Sequence, residues 1–210
     1  MTQTQPLQVY IDFLCPFAWR GVELALILRE TRGLNVQLRH YSLVQGNHPE
    51  NPDRKQPTWW LTDQTADSGS DMQRGSLAAF LAAHAAARQG EQERFTFTVE
   101  LFRLRHQDGR ALHDPTTLHA AAERAGLDAA RFAQDLQDDA GLRAALTEDL
   151  RAAAALGVFG TPTFVLDGAN AAYFRFARLP ESPEAAHALW ELYVQTLLND
   201  ARIETIKRPR

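Results

Sequence analysis

The chain holds one cysteine, Cys15, in the run Asp12-Phe13-Leu14-Cys15-Pro16-Phe17-Ala18-Trp19. One thiol cannot close an internal disulfide, form a CxxC pair or build a multi-cysteine metal centre. Redox chemistry here would use that sulfur alone and draw a second thiol from another molecule. The residues before Cys15 alternate as a strand and those after Pro16 repeat as a helix, so the sulfur stands where a helix begins. Unpaired backbone N–H groups and the positive end of the helix dipole gather there. Such a position favours the thiolate, which is the nucleophilic form. The other reading of Cys15 is a small buried apolar side chain, because lone cysteines are commonly buried.

A second candidate is Gly160-Thr161-Pro162-Thr163. A proline at the first residue of a strand can take either isomer. The cis form would turn the Thr161 backbone groups outward, where an extended thiol peptide could pair with them as an added strand. On the residues alone a plain trans proline that starts a strand is favoured, because cis is the minority state. The seven histidines, at 40, 48, 84, 106, 113, 119 and 187, offer no i, i+4 pair on one helix and no acid at ligand spacing, so no metal site is expected. His113-Asp114 reads equally well as a capping turn. Trp59 and Trp60 either line a site between two parts of the chain or pack a core. There is no GxGxxG, P-loop or GxSxG run.

The elements that must position these residues follow from periodicity. Leu7 to Phe13 alternates as a strand, Phe17 to Arg32 has helical spacing ended by Gly33, and Leu34 to Leu43 alternates again. Strand, helix and strand joined by short loops make a parallel βαβ unit. Residues 45–74 are polar and read as an irregular connection. From Gly75 to about Leu156 the chain is helical throughout, with breaks at Pro115 and at Gly126-Leu127-Asp128. Thr163 to Leu166 is then a strand, Asp167-Gly168 a turn, and Ala171 to Phe176 its hairpin partner. Ser182-Pro183-Glu184 caps a last helix whose stripe is Ala186, Leu189, Trp190, Tyr193 and Leu197. Residues 206–210 form a basic tail. The order is βαβ, a helical insertion, then ββα: an α/β chain with a thioredoxin fold and an inserted all-α helical subdomain. The expected division is 1–45 with 157–204 as the thioredoxin-like part, 46–156 as the insertion and 205–210 as the tail.

Composition bounds the function class. The chain has 210 residues, 45% of them hydrophobic and 23% charged, which is ordinary globular material. A net charge of −4 gives no basic surface for nucleic acid. No run approaches the ~18–20 apolar residues of a membrane span. The first residues lack the charge and apolar core of a signal peptide, so a cytoplasmic protein is expected.

The Cys15 run, read with Ala154-Ala155-Leu156-Gly157-Val158-Phe159-Gly160-Thr161-Pro162-Thr163-Phe164-Val165, resembles the DsbA-like branch of the thioredoxin superfamily. That branch includes FrnE-type dithiol oxidoreductases, kappa-class glutathione transferases and 2-hydroxychromene-2-carboxylate isomerases. The resemblance implies that Pro162 is cis and lies beside Cys15. It also shows departures. FrnE-type enzymes carry Cys-Pro-x-Cys where this chain has Cys15-Pro16-Phe17-Ala18, so the resolving thiol is missing and a self-contained dithiol cycle is ruled out. The glutathione-using relatives carry Ser-Pro-x-Ser/Ala and a later Gly-x-Asp-Arg-Leu run. Here that run corresponds to Arg175-Phe176-Ala177-Arg178-Leu179, which keeps Arg178 and Leu179 but lacks the Gly and the Asp.

The resemblance and the lone thiol together lead to a single-cysteine thiol–disulfide oxidoreductase. Cys15 is its nucleophile, Thr161 and Pro162 position the substrate, Pro16 fixes the helix start, and Phe17 and Trp19 wall the pocket. No cofactor is bound covalently; glutathione can serve as co-substrate, and the partners are protein or small-molecule thiols and disulfides. A homodimer is left open. The alternatives are a glutathione-dependent transferase or isomerase, and a binding protein on a thioredoxin frame.

Overall fold

The protein is described from a computed structural model covering residues 5–201 and 203. The expected 205–210 tail lies outside the described residues. Strand β1 (Leu7–Ile11), helix α1 (Pro16–Arg32) and strand β2 (Val36–His40) open the chain, with β1 and β2 parallel in register Leu7 with Val36 through Ile11 with His40. Each strand is shorter than its alternating pattern. After Ile11 the side chain of Asp12 bonds to the backbone ahead and turns the chain, so Phe13 leaves the ladder. Helix α1 buries Ala18, Gly21, Val22, Leu24, Ala25 and Leu28 and ends at Gly33, whose φ of 64° is left-handed and natural to glycine.

The connection after β2 is less irregular than its composition implies. It holds the four-residue helix α2 (Leu43–Gly46), capped by Ser42, and a 3-10 turn over Leu61–Asp63. Helix α3 (Asp71–Ala87) starts earlier than its apolar stripe, because the Ser70 side chain caps a first turn of polar residues. Helices α4 (Glu91–His106), α5 (Pro115–Arg124), α6 (Ala129–Asp135) and α7 (Asp139–Leu156) follow. Asp114 caps α5 by accepting the Thr116 N–H at 2.8 Å, so His113-Asp114 is a capping turn.

The chain then returns to the sheet as the antiparallel hairpin β3 (Thr163–Leu166) and β4 (Asn170–Tyr173) and closes with α8 (Pro183–Leu198) under its Ser182 cap. Strand order is β2-β1-β3-β4, with β3 antiparallel to β1. This is the α/β thioredoxin arrangement, with every regular element between β2 and β3 helical. One apolar core runs through both parts: Phe13 packs against Phe80 of α3 and Phe102 of α4, with ring centroids 5.9 and 4.8 Å away. At the hairpin end of the same core, the Tyr193 hydroxyl of α8 reaches the carbonyls of Phe164 and Ala172 at 3.2 and 3.3 Å. Among the described residues no helix is long and apolar enough to cross a membrane.

Candidate active site

The loop between β1 and α1 is built on Asp12. Its Oδ1 accepts the Leu14 N–H at 2.8 Å, its Oδ2 accepts the Leu43 N–H at 2.7 Å, and its backbone carbonyl accepts the Cys15 N–H at 2.9 Å. One fully buried side chain thus turns the Cys15 loop and ties it to the start of α2. Burial pushes the Asp12 carboxyl up to about 6, against the opposing pull of the Leu14 and Leu43 amides.

Cys15 caps α1, with Pro16 as the first helical residue. Its Sγ accepts the Ala18 N–H at 3.4 Å, and its S–H donates to the Thr161 carbonyl at 3.3 Å. The Thr161-Pro162 bond is cis. Sulfur and proline loop are 146 residues apart in sequence and adjacent in space. The Thr161 hydroxyl is buried and has no hydrogen-bond partner. Behind the loop, Gly21 lets Pro162 lie against α1: a Cβ on Gly21 would stand 2.8 Å from both Cβ and Cγ of Pro162. Cys15 as a residue is 7% exposed, so the site is largely closed to solvent.

Around this edge, Phe17 lies under two guanidinium groups, Arg175 at 4.0 Å and Arg20 at 5.0 Å from its ring centre. Arg20 also donates to the Phe176 carbonyl at 3.3 Å, joining α1 to the chain after β4. Trp19 turns toward the helical insertion. Its Nε1 donates to Glu23 at 3.2 Å, and its ring stacks on His106 of α4 at 5.7 Å. His106 Nε2 in turn lies 2.9 Å from the Phe13 carbonyl, and burial holds that imidazole below its ordinary pKa. Trp59 stacks on His48 at 4.0 Å, and Trp60 packs against the core with Arg151 over its ring.

On the far side of the proline loop, Phe159 and Tyr173 are both exposed, at 56% and 37%, with ring centroids 5.5 Å apart. Phe159 borders an open depression of about 600 Å³ shared with Asn47, His48, Arg54, Lys55 and Gly157. The pair adjoins the proline loop: a Cβ on Gly160 would stand 3.3 Å from the Tyr173 ring.

Sequence reading places Cys15, Pro16, Phe17, Trp19, Thr161 and Pro162 in one site; the structure brings Cys15 and Pro16 to Thr161 and Pro162, sets Phe17 beside Arg20 and Arg175, and packs Trp19 on His106 of α4. It misses Asp12 and His106 as parts of that site. A buried acid directly after a strand and before a turn was the available signal for Asp12; His106, 93 residues from the carbonyl it touches, has no local signal.

Residues 6–182 match the family of DSBA-like thioredoxin domains. No curated protein matches the chain in sequence. Among solved structures, the cytosolic disulfide reductase DsbM from Pseudomonas aeruginosa, determined with GSH, superimposes with a TM-score of 0.58 at 19% identity, covering 91% of this chain and 100% of that one. A 2-hydroxychromene-2-carboxylate isomerase gives 0.59 at 19% identity, covering 96% of this chain and 100% of that one. SrgA from Salmonella enterica serovar Typhimurium gives 0.54 at 16% identity over 94% and 97%. At such identities the likeness is one of fold. The family match spans most of the chain and includes both Cys15 and Pro162, and the protein therefore belongs to the DSBA-like thioredoxin domain family.

Proposed function

We propose that this protein is a thiol–disulfide oxidoreductase that works through Cys15 alone. The observation that carries the reading is the meeting of the Cys15 sulfur, at the start of α1, with the Thr161 carbonyl of the proline loop 3.3 Å away. That carbonyl and the exposed Phe159–Tyr173 pair supply polar and apolar contacts for an extended chain bearing a disulfide.

The Cys15 thiolate attacks one sulfur of the substrate disulfide. A Cys15–substrate S–S bond forms, the substrate S–S bond breaks, and the departing thiolate takes a proton from water. The Ala18 N–H at the start of α1 faces the sulfur whose charge changes during the exchange. With alanine at position 18 there is no neighbouring thiol to attack the mixed disulfide. An external thiol of the glutathione class does so, releasing the Cys15 thiolate and leaving as the new mixed disulfide; one substrate thiol is freed per cycle and one external thiol is oxidised. Pro16 fixes the helix start, Thr161 and Pro162 position the substrate, Phe17 with Arg175 walls the approach, and Trp19 holds the loop from behind through His106. Residues 1–45 and 157–204 are the unit that does the chemistry, and 46–156 the insertion that backs it. Dependence on an external thiol suits a reducing compartment such as the cytoplasm.

Incubation with oxidised glutathione, followed by intact mass, tests the reading. One glutathione adduct on Cys15, reversed by excess thiol and missing from Cys15→Ser, is the expected result. Absence of the adduct, or glutathione held without covalent attachment while an added electrophile is conjugated, would overturn it.

A further inference from the structure

Three side chains that the exchange chemistry leaves idle meet between the sheet and the helices. His40 ends β2, His84 lies in the last turn of α3, and Asp149 faces them from α7; all three are buried. His40 Nδ1 lies 3.0 Å from His84 Nε2 and 3.0 Å from Asp149 Oδ2, and the third side of the triangle, His84 Nε2 to Asp149 Oδ2, is 3.6 Å. Hydrogen bonding satisfies this triangle only in part. The two facing ring nitrogens can share only one proton. Asp149 Oδ2 already accepts the His40 backbone N–H at 3.1 Å. Placing that one proton along any side leaves another side with two electron pairs opposed in a dry interior, where such a contact is costly.

A cation fits where a second proton does not. Zinc held tetrahedrally at ~2.0–2.1 Å keeps its ligand atoms ~3.3 Å apart, and the three observed separations bracket that spacing. Two imidazoles and one carboxylate are a recognised zinc donor set, with water completing the tetrahedron. The surroundings suit it too. Arg39 Nε lies 2.7 Å from the other carboxylate oxygen, Oδ1, as a charge contact off the N–H axis, and so directs Oδ2 inward. Arg94 is the other nearby cation; it pairs with Glu91 at 2.8 Å and donates to the Leu38 carbonyl at 2.9 Å. Phe13 and Phe80 wall His40, with ring centroids at 6.1 and 4.9 Å.

We propose that His40, His84 and Asp149 form a buried zinc site with three protein ligands, which clamps α3 and α7 of the helical insertion onto the end of β2. The histidines are 44 residues apart and Asp149 is 109 from His40, which is why a search for ligand spacing along the chain finds nothing. This site does not depend on the reading of Cys15.

The test is metal content and spectroscopy on the whole protein, both as purified from zinc-supplemented culture and after refolding with equimolar Zn²⁺, which removes any barrier to entry. One zinc per chain is expected, and Zn²⁺ at ~100-fold over Kd should raise Tm by about 5–10 °C. Co²⁺ in its place should show intense visible bands of a tetrahedral site without thiolate charge transfer, and Cys15→Ala should leave both unchanged. His84→Phe, which keeps a ring in the cavity, should weaken binding by ~100-fold or more; His84→Gln is the second variant should the first misfold. Less than ~0.1 zinc per wild-type chain after refolding, a six-coordinate cobalt spectrum, or undiminished binding in a folded His84 variant would overturn the proposal; the last would assign the metal to histidines on the surface.

Discussion

Asp12 holds the Cys15 loop through a carboxyl with no solvent contact, and its titration should be visible in the stability of the whole protein. Its pKa stands at about 6 against an ordinary 3.8, and burial is the main cause. A gap of roughly two pKa units is worth about 3 kcal/mol between protonation states. The folded state binds this proton more tightly than the unfolded chain does. Between the two values it carries more protons, so this group's contribution to stability is present at low pH and is lost as pH rises through about 6. On going from about pH 7 to about pH 4.5, the wild type should gain ~2 kcal/mol from Asp12 alone. Asp12→Asn has no such gain. Its amide leaves one backbone N–H facing an NH₂ group, a penalty common to both pH values that cancels. Urea unfolding of the two proteins at the two pH values yields a double difference in which uncoupled groups also cancel. A double difference under ~0.5 kcal/mol would refute the reasoning. One of opposite sign would do so more informatively, showing that the Leu14 and Leu43 amides stabilise the carboxylate by more than burial penalises it.

Gly21→Ala should set two effects against each other: alanine favours the helix by ~1 kcal/mol, while its Cβ, 2.8 Å from the Pro162 ring, costs ~1–3 kcal/mol by overpacking. Stability should fall by ~0–2 kcal/mol, whereas the rate of mixed-disulfide formation should fall ~10–100-fold as the Thr161 carbonyl shifts from the sulfur; an unchanged rate would show that the proline loop does not position the exchange. Ala18→Cys should form an internal disulfide with Cys15 in an oxidising glutathione buffer, read as loss of the mass of two hydrogens and of both alkylation sites, since the Ala18 N–H already touches Sγ. Two thiols persisting under those conditions would mean the position 18 side chain points away. Tyr193→Phe should destabilise the chain by ~1–2 kcal/mol in urea, because the Phe164 and Ala172 carbonyls lose the hydroxyl they face; a neutral result would show that these carbonyls are satisfied without it.

Where a feature is local in the chain, the sequence makes it readable. Alternation before Asp12 and helical spacing after Pro16 give β1, α1 and the place of Cys15, and glycine, serine or aspartate at several boundaries supplies the caps, with Gly157 left-handed at 72° and Ser182 bonded to the Ala185 N–H. Thr161 and Pro162 are readable because the glycine-rich run and the strand after them are contiguous. The first turn of α3 is not, because Asp71, Gln73 and Arg74 are polar and the stripe begins only at Gly75. The contacts that fix the site in depth also escape. Asp12 reaches Leu43 across 31 residues, and His106 reaches Phe13 across 93. Each is a polar residue whose meaning arises only when the insertion folds back on the sheet. A histidine in the apolar stripe of α3 looks like core packing until His40 and Asp149 stand beside it.

The pairing of β1 with β3 has a consequence for how the chain is made. Val9 lies opposite Phe164, so the two inner strands of the sheet become neighbours only after the whole insertion has been synthesised. At ~5–20 residues per second, a ribosome takes about 6–25 seconds to pass from the end of β2 to the end of β3. Through that interval the nascent β1 presents an open, apolar edge, the kind of edge that recruits strands from other chains. Closing a loop this long costs only ~3 kcal/mol more than closing a hairpin, so time, more than free energy, is the hazard. The helices from α3 to α7 emerge during the wait. Laid against α1 and β2, they wall in the Phe13 side of the sheet before its last strands arrive, and the insertion then acts as a cover for the unfinished half of the protein.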